Sequence, residues 1–327
     1  MTHHRLLRAI VPCAIAFATL ALPCTTNAQE YPSRTVRILV GASPGGGTDI
    51  LARVLADKFS RSLKQAVVVE NRPGASNTIA ADTTARADSD GLTLLVATNT
   101  GQSIAPHLLK LKYDPLKDLA SVGLVAVMPN VLVVSSNSPY KTFDQLLAAL
   151  KAHPGELKYA SSGVGSTQHV GAAAFNLATK TSAIHIPYKG SSQAQIDVIS
   201  GQVDMMFDST SSAMTQIKGG SLRALAVSAA KRSAEMPDVP TLAELGINGA
   251  EVNTWYGLYA TGGTSPEIIA RLNRELTAAL KMPDVVERIK GLGGDIEIMN
   301  VKTFVAFNQS EFDHYGKLVR AAEVKSD

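Results

Sequence analysis

Ser43 lies in Gly41-Ala42-Ser43-Pro44-Gly45, the G-x-S-x-G spacing of a hydrolase nucleophile elbow, with an apolar run before it and a helical pattern after it. Such a serine needs an oxyanion hole, one donor of which is the N–H of the following residue. Here that residue is Pro44, which has no N–H. Continuing through Gly46-Gly47-Thr48, the stretch spaces Gly41 and Gly46 as a Walker loop does, but the lysine before the threonine is missing. Rossmann glycine spacing is not met either. What remains is anion chemistry without a charged side chain. A helix start carries unpaired N–H groups and a partial positive charge, and glycines let a ligand approach the backbone.

A second loop has the same character. Ser161-Ser162-Gly163-Val164-Gly165-Ser166-Thr167 follows the run Leu157-Lys158-Tyr159-Ala160 and precedes another helical pattern. The two loops together suggest a pincer for a small anion. The candidate ligand contacts are Ser43, Pro44, Gly45, Gly46 and Gly47 in the first loop and Ser162, Gly165, Ser166 and Thr167 in the second. The plain alternative is a pair of packing turns, with Ser166 or Thr167 serving only as an N-cap.

Four other segments carry candidates. Thr98 and Asn99 end an apolar run, and ligands in open α/β sheets bind at the carboxyl ends of strands. Tyr188 and Lys189 follow a short strand pattern. Asp208 comes after Met205-Met206-Phe207, where a carboxylate needs a partner. It is either an anchor for its own loop or a reader of a hydroxyl or ammonium on the ligand. Trp255 is the only tryptophan, expected as a structural aromatic between domains. Asp49, in a first helical turn, is expected to fix its loop rather than touch an anion. His169 and His185 lack partners at metal-ligand spacing, so neither a metal nor any other cofactor is expected, and His185 is read as structural.

The elements that must position these residues alternate. Strand patterns fall at 36–40, 67–70, 93–97, 122–134, 159–161, 183–186, 204–207 and 222–228. Helical patterns fall at 49–63, 143–151, 169–179, 192–200 and 266–280. Apolar strands alternating with helices predict an α/β fold with a parallel sheet covered on both faces. The run 122–134 is long for one strand and is interrupted at Pro129-Asn130, as expected of a chain passing between domains. A return passage is expected through 251–259. Domain 1 is then 29–128 plus 256–327, capped by the C-terminal helices, and domain 2 is 129–255, with a hinge near Asn130 and Glu251.

The chain of 327 residues begins with His3, His4, Arg5 and Arg8, an apolar stretch from Ala9 to Leu22, and Thr26-Asn27-Ala28. This is the pattern of a secretory signal peptide over 1–28, with cleavage expected near Ala28 and export, expected to the periplasm, of the mature protein. Pro23 makes acylation of Cys24 a poor fit. Both cysteines, Cys13 and Cys24, lie in this segment, so the mature chain has no disulfide, thiolate metal site or cysteine nucleophile. The formal charge is +3, of which Arg5 and Arg8 leave with the leader. A near-neutral chain with 5% aromatic residues has no electrostatic footprint for nucleic acid. A monomer is expected.

Several segments together resemble a known family. They are Pro44-Gly45-Gly46 with Asp49, Glu70-Asn71-Arg72-Pro73-Gly74-Ala75, Ser162-Gly163 with Gly165-Ser166, His185-Ile186-Pro187-Tyr188-Lys189-Gly190, Gly201-Gln202-Val203-Asp204, Leu222-Arg223-Ala224-Leu225-Ala226-Val227 and Pro240-Thr241 with Glu244. In this order they resemble the Bug receptors, the extracytoplasmic solute-binding proteins of the tripartite tricarboxylate transporter group, over essentially the whole mature chain. The resemblance implies a two-lobed periplasmic binding protein fold, type II-like, with two doubly wound domains and a ligand cleft at a two-strand hinge. It implies a receptor that captures a small organic carboxylate, through loop backbone groups and waters, for membrane transporter subunits or a sensor protein. One departure stands out. After Gly74-Ala75 the family usually continues with paired glycines, where this chain has Ser76-Asn77-Thr78. The competing reading is an exported hydrolase or isomerase using the same cleft.

Overall fold

The computed structural model describes residues 31–229 and 231–324. The expected leader and its cleavage site lie outside the described residues. In chain order the elements of the first part are β1 (Val36–Val40), α1 (Gly47–Ser62), β2 (Val67–Asn71), α2 (Thr78–Ala85), β3 (Thr93–Thr98) and β4 (Leu119–Ser135). Then come α3 (Phe143–Ala152), β5 (Lys158–Ser161), α4 (Thr167–Thr179), β6 (Ile184–Pro187), α5 (Ser191–Ile199), β7 (Met205–Ser209), α6 (Thr210–Lys218) and β8 (Leu222–Val227). The chain closes with β9 (Asn253–Thr261), α7 (Pro266–Leu280), α8 (Pro283–Gly291) and α9 (Val301–Ala321).

The strands form two leaves that share β4. One has the order β2-β1-β3-β9-β4 and the other β6-β5-β7-β4-β8. The internal pattern is the same in both. A first strand (β1 or β5) pairs in parallel with its two neighbours, and the next strand outward runs antiparallel. The two glycine loops follow β1 and β5, so they occupy equivalent places in the two leaves. The expected parallel sheet holds around β1 and β5 and is corrected elsewhere. β9 and β4 run antiparallel to their neighbours, and β8 runs antiparallel to β4. Central antiparallel strands buried on both faces lose the in–out alternation that would have betrayed them.

β4 is a single strand that changes partners partway along. Up to Pro129 it pairs with β9, and from Asn130 it pairs with β7 and β8. Asn130 also ties in the returning chain. Its N–H donates to Ser228 Oγ (3.0 Å), the Ser228 N–H donates back to the Asn130 carbonyl (2.8 Å), and Thr254 Oγ1 donates to Asn130 Oδ1 (2.9 Å). Helices cover both leaves with apolar stripes. Leu51, Leu55 and Phe59 of α1 sit in the core of the first leaf, and Ala172, Ala174 and Phe175 of α4 in that of the second.

Two expectations are corrected by α9. Trp255 does not stand between domains. It packs edge-on to Phe307 at 5.4 Å and donates from Nε1 to Glu311 (2.8 Å), both on α9, within the first leaf's core. Nor does the C-terminal region cap the first leaf alone, because Tyr315 and Val319 pack with Val170 of α4.

Candidate functional site

Six strand-to-helix turns, three from each leaf, open onto one cavity. The turns after β1, β2 and β3 bring Gly46, Gly47, Thr48, Asn77, Thr98 and Thr100 to its wall. Those after β5, β6 and β7 bring Ser162, Thr167, Gln168, Gly190, Ser191, Ser209 and Ser212. Thr254 and Tyr256 of β9 complete it, and among the described residues no Lys, Arg, Asp or Glu lines it. Four helices, α1, α4, α5 and α6, start at this wall. Their first-turn N–H groups have no partner within the helix, and their dipoles place partial positive charge there. The walls stand close, with about 40 Å³ of free space between them, enough for a few water molecules.

In the first loop, Gly45 N–H donates to Asp49 Oδ2 (2.9 Å) and Gly46 N–H donates to the Ser43 carbonyl (3.2 Å). Both groups are spent inside the turn, so the open donors are the N–H groups of Gly47 and Thr48. Asp49 fixes the loop, as expected. It also accepts from Arg53 Nε (3.0 Å) and from Asn71 Nδ2 (2.9 Å), while that Asn71 amide donates to the Ala42 carbonyl. Burial works to raise its pKa, but the bonds from Arg53, Gly45 and Asn71 outweigh it and hold the carboxyl below its ordinary range.

In the second loop, Ser166 is the N-cap of α4 and accepts from the His169 N–H at 3.2 Å. Gly165 N–H donates to His169 Nδ1 (3.0 Å). The His169 ring stacks on His185 at 3.8 Å, which stacks on Tyr159 at 4.9 Å. His185 Nε2 lies 2.6 Å from Ser161 Oγ, in keeping with a structural role. Burial first, and the neighbouring His185 second, hold the His169 pKa down at about 3, so the ring is neutral. Gly165 and Ser166 thus shape the turn, while Ser162 and Thr167 reach the cavity wall.

Asp208 is fully buried behind that wall. Its Oδ1 accepts from Gln168 Nε2 (3.0 Å), the Ser209 N–H (2.8 Å) and Ser212 Oγ (2.7 Å), and its Oδ2 accepts from Gln195 Nε2 (2.6 Å). Burial pushes its carboxyl up, against these donors. The geometry is that of an anchor tying α4, α5 and α6 together.

Direct bonds join the leaves around the cavity. Ser43 Oγ donates to the Lys189 carbonyl (3.2 Å), and Ser192 Oγ donates to the Pro44 carbonyl (3.4 Å). Ser43 therefore meets a carbonyl rather than a base. Pro44, Gly45 and Lys189 are exposed at the mouth, and the Tyr188 hydroxyl turns away to Asp197 (2.6 Å). Deeper in, Thr167 N–H donates to Thr100 Oγ1 (3.1 Å) and Thr167 Oγ1 donates to Asn99 Oδ1 (3.1 Å). Asn99 Nδ2 in turn donates to the Tyr315 hydroxyl (2.7 Å), which donates to the Asn253 carbonyl (3.0 Å). Thr98 lies on the wall and Asn99 just behind it.

Ala75 and the two residues after it, Ser76 and Asn77, which stand where paired glycines are usual, all have left-handed backbone, with φ of 45°, 54° and 70°. Non-glycine residues adopt this region at a cost. The return is placement. Ser76 Oγ reaches across to the Val164 carbonyl. Asn77 sets its amide on the cavity wall, donating to Thr98 Oγ1 at 3.3 Å.

Among the lining residues that sequence reasoning missed are Gln168, Ser191, Ser209, Ser212 and Tyr256. A signal was available for four of them. Gly190-Ser191-Ser192 and Ser209-Thr210-Ser211-Ser212 repeat the pattern of small hydroxyl residues between strand and helix, and Gln168 stands beside Thr167. Tyr256 had no signal, because its hydroxyl, 2.7 Å from Ser211 Oγ, meets that residue only in the fold. Among the described residues no group of His, Cys, Asp or Glu is placed to hold a metal.

Residues 51–324 match the family described as the tripartite tricarboxylate transporter family receptor. The chain is 37% identical to Protein BugT of Bordetella pertussis over 324 residues, 98% of each chain. Two solved structures from Rhodopseudomonas palustris are similar throughout. MatC with bound malate is 32% identical with a TM-score of 0.84, covering 88% of this chain and 100% of that one. A protein solved with adipate is 30% identical with a TM-score of 0.87, covering 90% and 99%. The arrangement of the two leaves is the two-lobed fold of periplasmic binding proteins.

Proposed function

Because the chain belongs to the tripartite tricarboxylate transporter receptor family, we propose that it is a periplasmic receptor that captures a small organic carboxylate between its lobes and delivers it to a membrane transporter. The observation that carries this reading is the convergence of four helix starts on a cavity lined by no charged side chain. A carboxylate there accepts N–H bonds from Gly47, Thr48 and Ser191 and meets the positive ends of the helix dipoles. Relatives solved with malate and adipate support an acid of that size.

The lobes are 29–128 plus 256–327 and 129–255. An acid the size of malate enters only when they part, and the bonds from Ser43, Ser192 and Thr167 re-form behind it. Closure is then a population shift driven by contacts made in the closed form alone. An enzymatic role has no support from Ser43, whose hydroxyl donates to a carbonyl. Calorimetry with a panel of di- and hydroxycarboxylates, followed by mass spectrometry of the recovered acid, tests the reading. Binding with the acid returned unchanged is expected. A chemically altered acid, or no binding by any acid, contradicts it.

A further inference from the structure

The cavity wall is polarised in one place, and this bears on which carboxylate fits. Ser162 and Ser212 both line the cavity. The Ser212 hydroxyl donates away from it, to Asp208 Oδ1 at 2.7 Å. Ser162 Oγ donates to Gln168 Oε1, and the Ser162 N–H donates to the same oxygen at 3.0 Å. The direction of the Gln168 amide is not free. Its Nε2 faces Asp208 Oδ1 at 3.0 Å and Ser191 Oγ at 2.8 Å. A carboxylate that receives donors from Gln168, Gln195, Ser209 and Ser212 is an acceptor throughout, so the amide nitrogen must point at it and the amide oxygen at Ser162. One buried carboxylate thus draws in the protons of both wall hydroxyls, directly at Ser212 and through Gln168 at Ser162. Each Oγ keeps only its lone pairs for the cavity.

We infer that the ligand is a hydroxycarboxylate, whose O–H donates to Ser162 Oγ or Ser212 Oγ while its carboxylate faces the helix starts. This rests on the receptor reading above. A carboxylate oxygen against these two oxygens would leave lone pairs opposed, which a ligand hydroxyl avoids. An ammonium would also donate, but the positive ends of α1, α4, α5 and α6 disfavour a cation, and Asp208 is sealed behind Gln168. Gln168 acts through Ser162 and is a positioning residue.

Calorimetry with matched pairs reads this directly, using malate against succinate, 2-hydroxyglutarate against glutarate, and aspartate as the amino counterpart. The expected result is that the hydroxy acid of at least one pair binds about tenfold or more tighter than its deoxy partner and than aspartate. Ser162→Ala and Ser212→Ala should each pull the hydroxy-to-deoxy ratio toward one, and Ser162→Thr, which keeps the hydroxyl, should retain it. Equal binding within the pairs by the unaltered protein overturns the inference and leaves the receptor reading standing. So does a ratio that survives in the Ser162→Ala, Ser212→Ala double variant, or a preference for aspartate. Failure of every acid to bind overturns both.

Discussion

Gly47 of α1 stands directly against Ser211 of α6, across the interface between the lobes. A Cβ at position 47 would overlap Ser211 Oγ and come within 2.8 Å of the Tyr256 hydroxyl. The start of one helix is therefore pressed onto the start of another, and the closed arrangement needs a residue without a side chain at 47. The backbone of Gly47 does not need glycine for its own conformation, since its φ is not in the left-handed region. The demand comes first from Ser211 in the other lobe and second from the Tyr256 hydroxyl in its own.

Gly47→Ala should therefore keep the fold but resist closure. Overpacking costs about 1–3 kcal/mol, which is roughly ten- to a hundredfold in affinity when it falls on the closed form. Calorimetry against the tightest-binding acid should show that loss, with the melting temperature of the unliganded protein nearly unchanged. Unaltered affinity would mean that the lobes do not close with Gly47 on Ser211.

Asn77→Gly separates strain from function. Glycine adopts a left-handed backbone freely, whereas other residues do so at a cost of about 1–2 kcal/mol, less for Asn. The variant should melt at the same temperature or higher, yet bind more weakly, because the amide on the cavity wall is gone. Denaturant unfolding and calorimetry on the same sample check both parts. A less stable variant with full affinity would contradict the placement of Asn77.

Much of this was legible in the sequence, and the gaps have physical causes. The two glycine loops were visible because glycine and small hydroxyl residues between a strand and a helix are a local signal. The long strand through Pro129 and Asn130 was visible as an apolar run of unusual length. The antiparallel placement of β9 and β4 was not, since strand direction is set by which distant segments pair. The donor role of Gly45 and Gly46 was also beyond reach, because it depends on where Asp49 and Ser43 direct their acceptors. Asp208 was singled out correctly as needing partners. That those partners are two glutamines and two serines is a tertiary fact.

His169 gives the protein a sensitivity to acid. Its pKa is held at about 3 in the fold, by burial and then by His185, against 6.5 when unperturbed. Between those values the unfolded chain binds a proton that the folded chain refuses, so stability is full above pH 6.5 and falls as pH drops toward 3. The slope is about 1.4 kcal/mol per pH unit at most. His169→Gln keeps an acceptor for the Gly165 N–H and does not titrate. Between pH 7.5 and 4.5 the stability from urea unfolding should fall less in the variant, by about 3 kcal/mol. Equal falls would show that His169 takes up a proton in the native state.

Tyr315 links α9 to the cavity through Asn99. Tyr315→Phe removes the hydroxyl that accepts from Asn99 Nδ2 at 2.7 Å and donates to the Asn253 carbonyl at 3.0 Å, and leaves only the 2.8 Å bond from Asn99 Nδ2 to that carbonyl. Each buried hydrogen bond lost costs about 0.5–1.5 kcal/mol. The melting temperature should drop, and affinity should drop with it, since Asn99 holds Thr167 at the start of α4. A drop in stability alone would confine Tyr315 to packing.

The account turns on an anion held by helix starts without a charged side chain, and a crystal structure of the complex with the tightest-binding acid tests it most directly. Its carboxylate oxygens should lie within about 2.7–3.2 Å of N–H groups among Gly47, Thr48 and Ser191. An acid paired instead with a lysine or arginine side chain, or seated outside the cavity between the lobes, would contradict it.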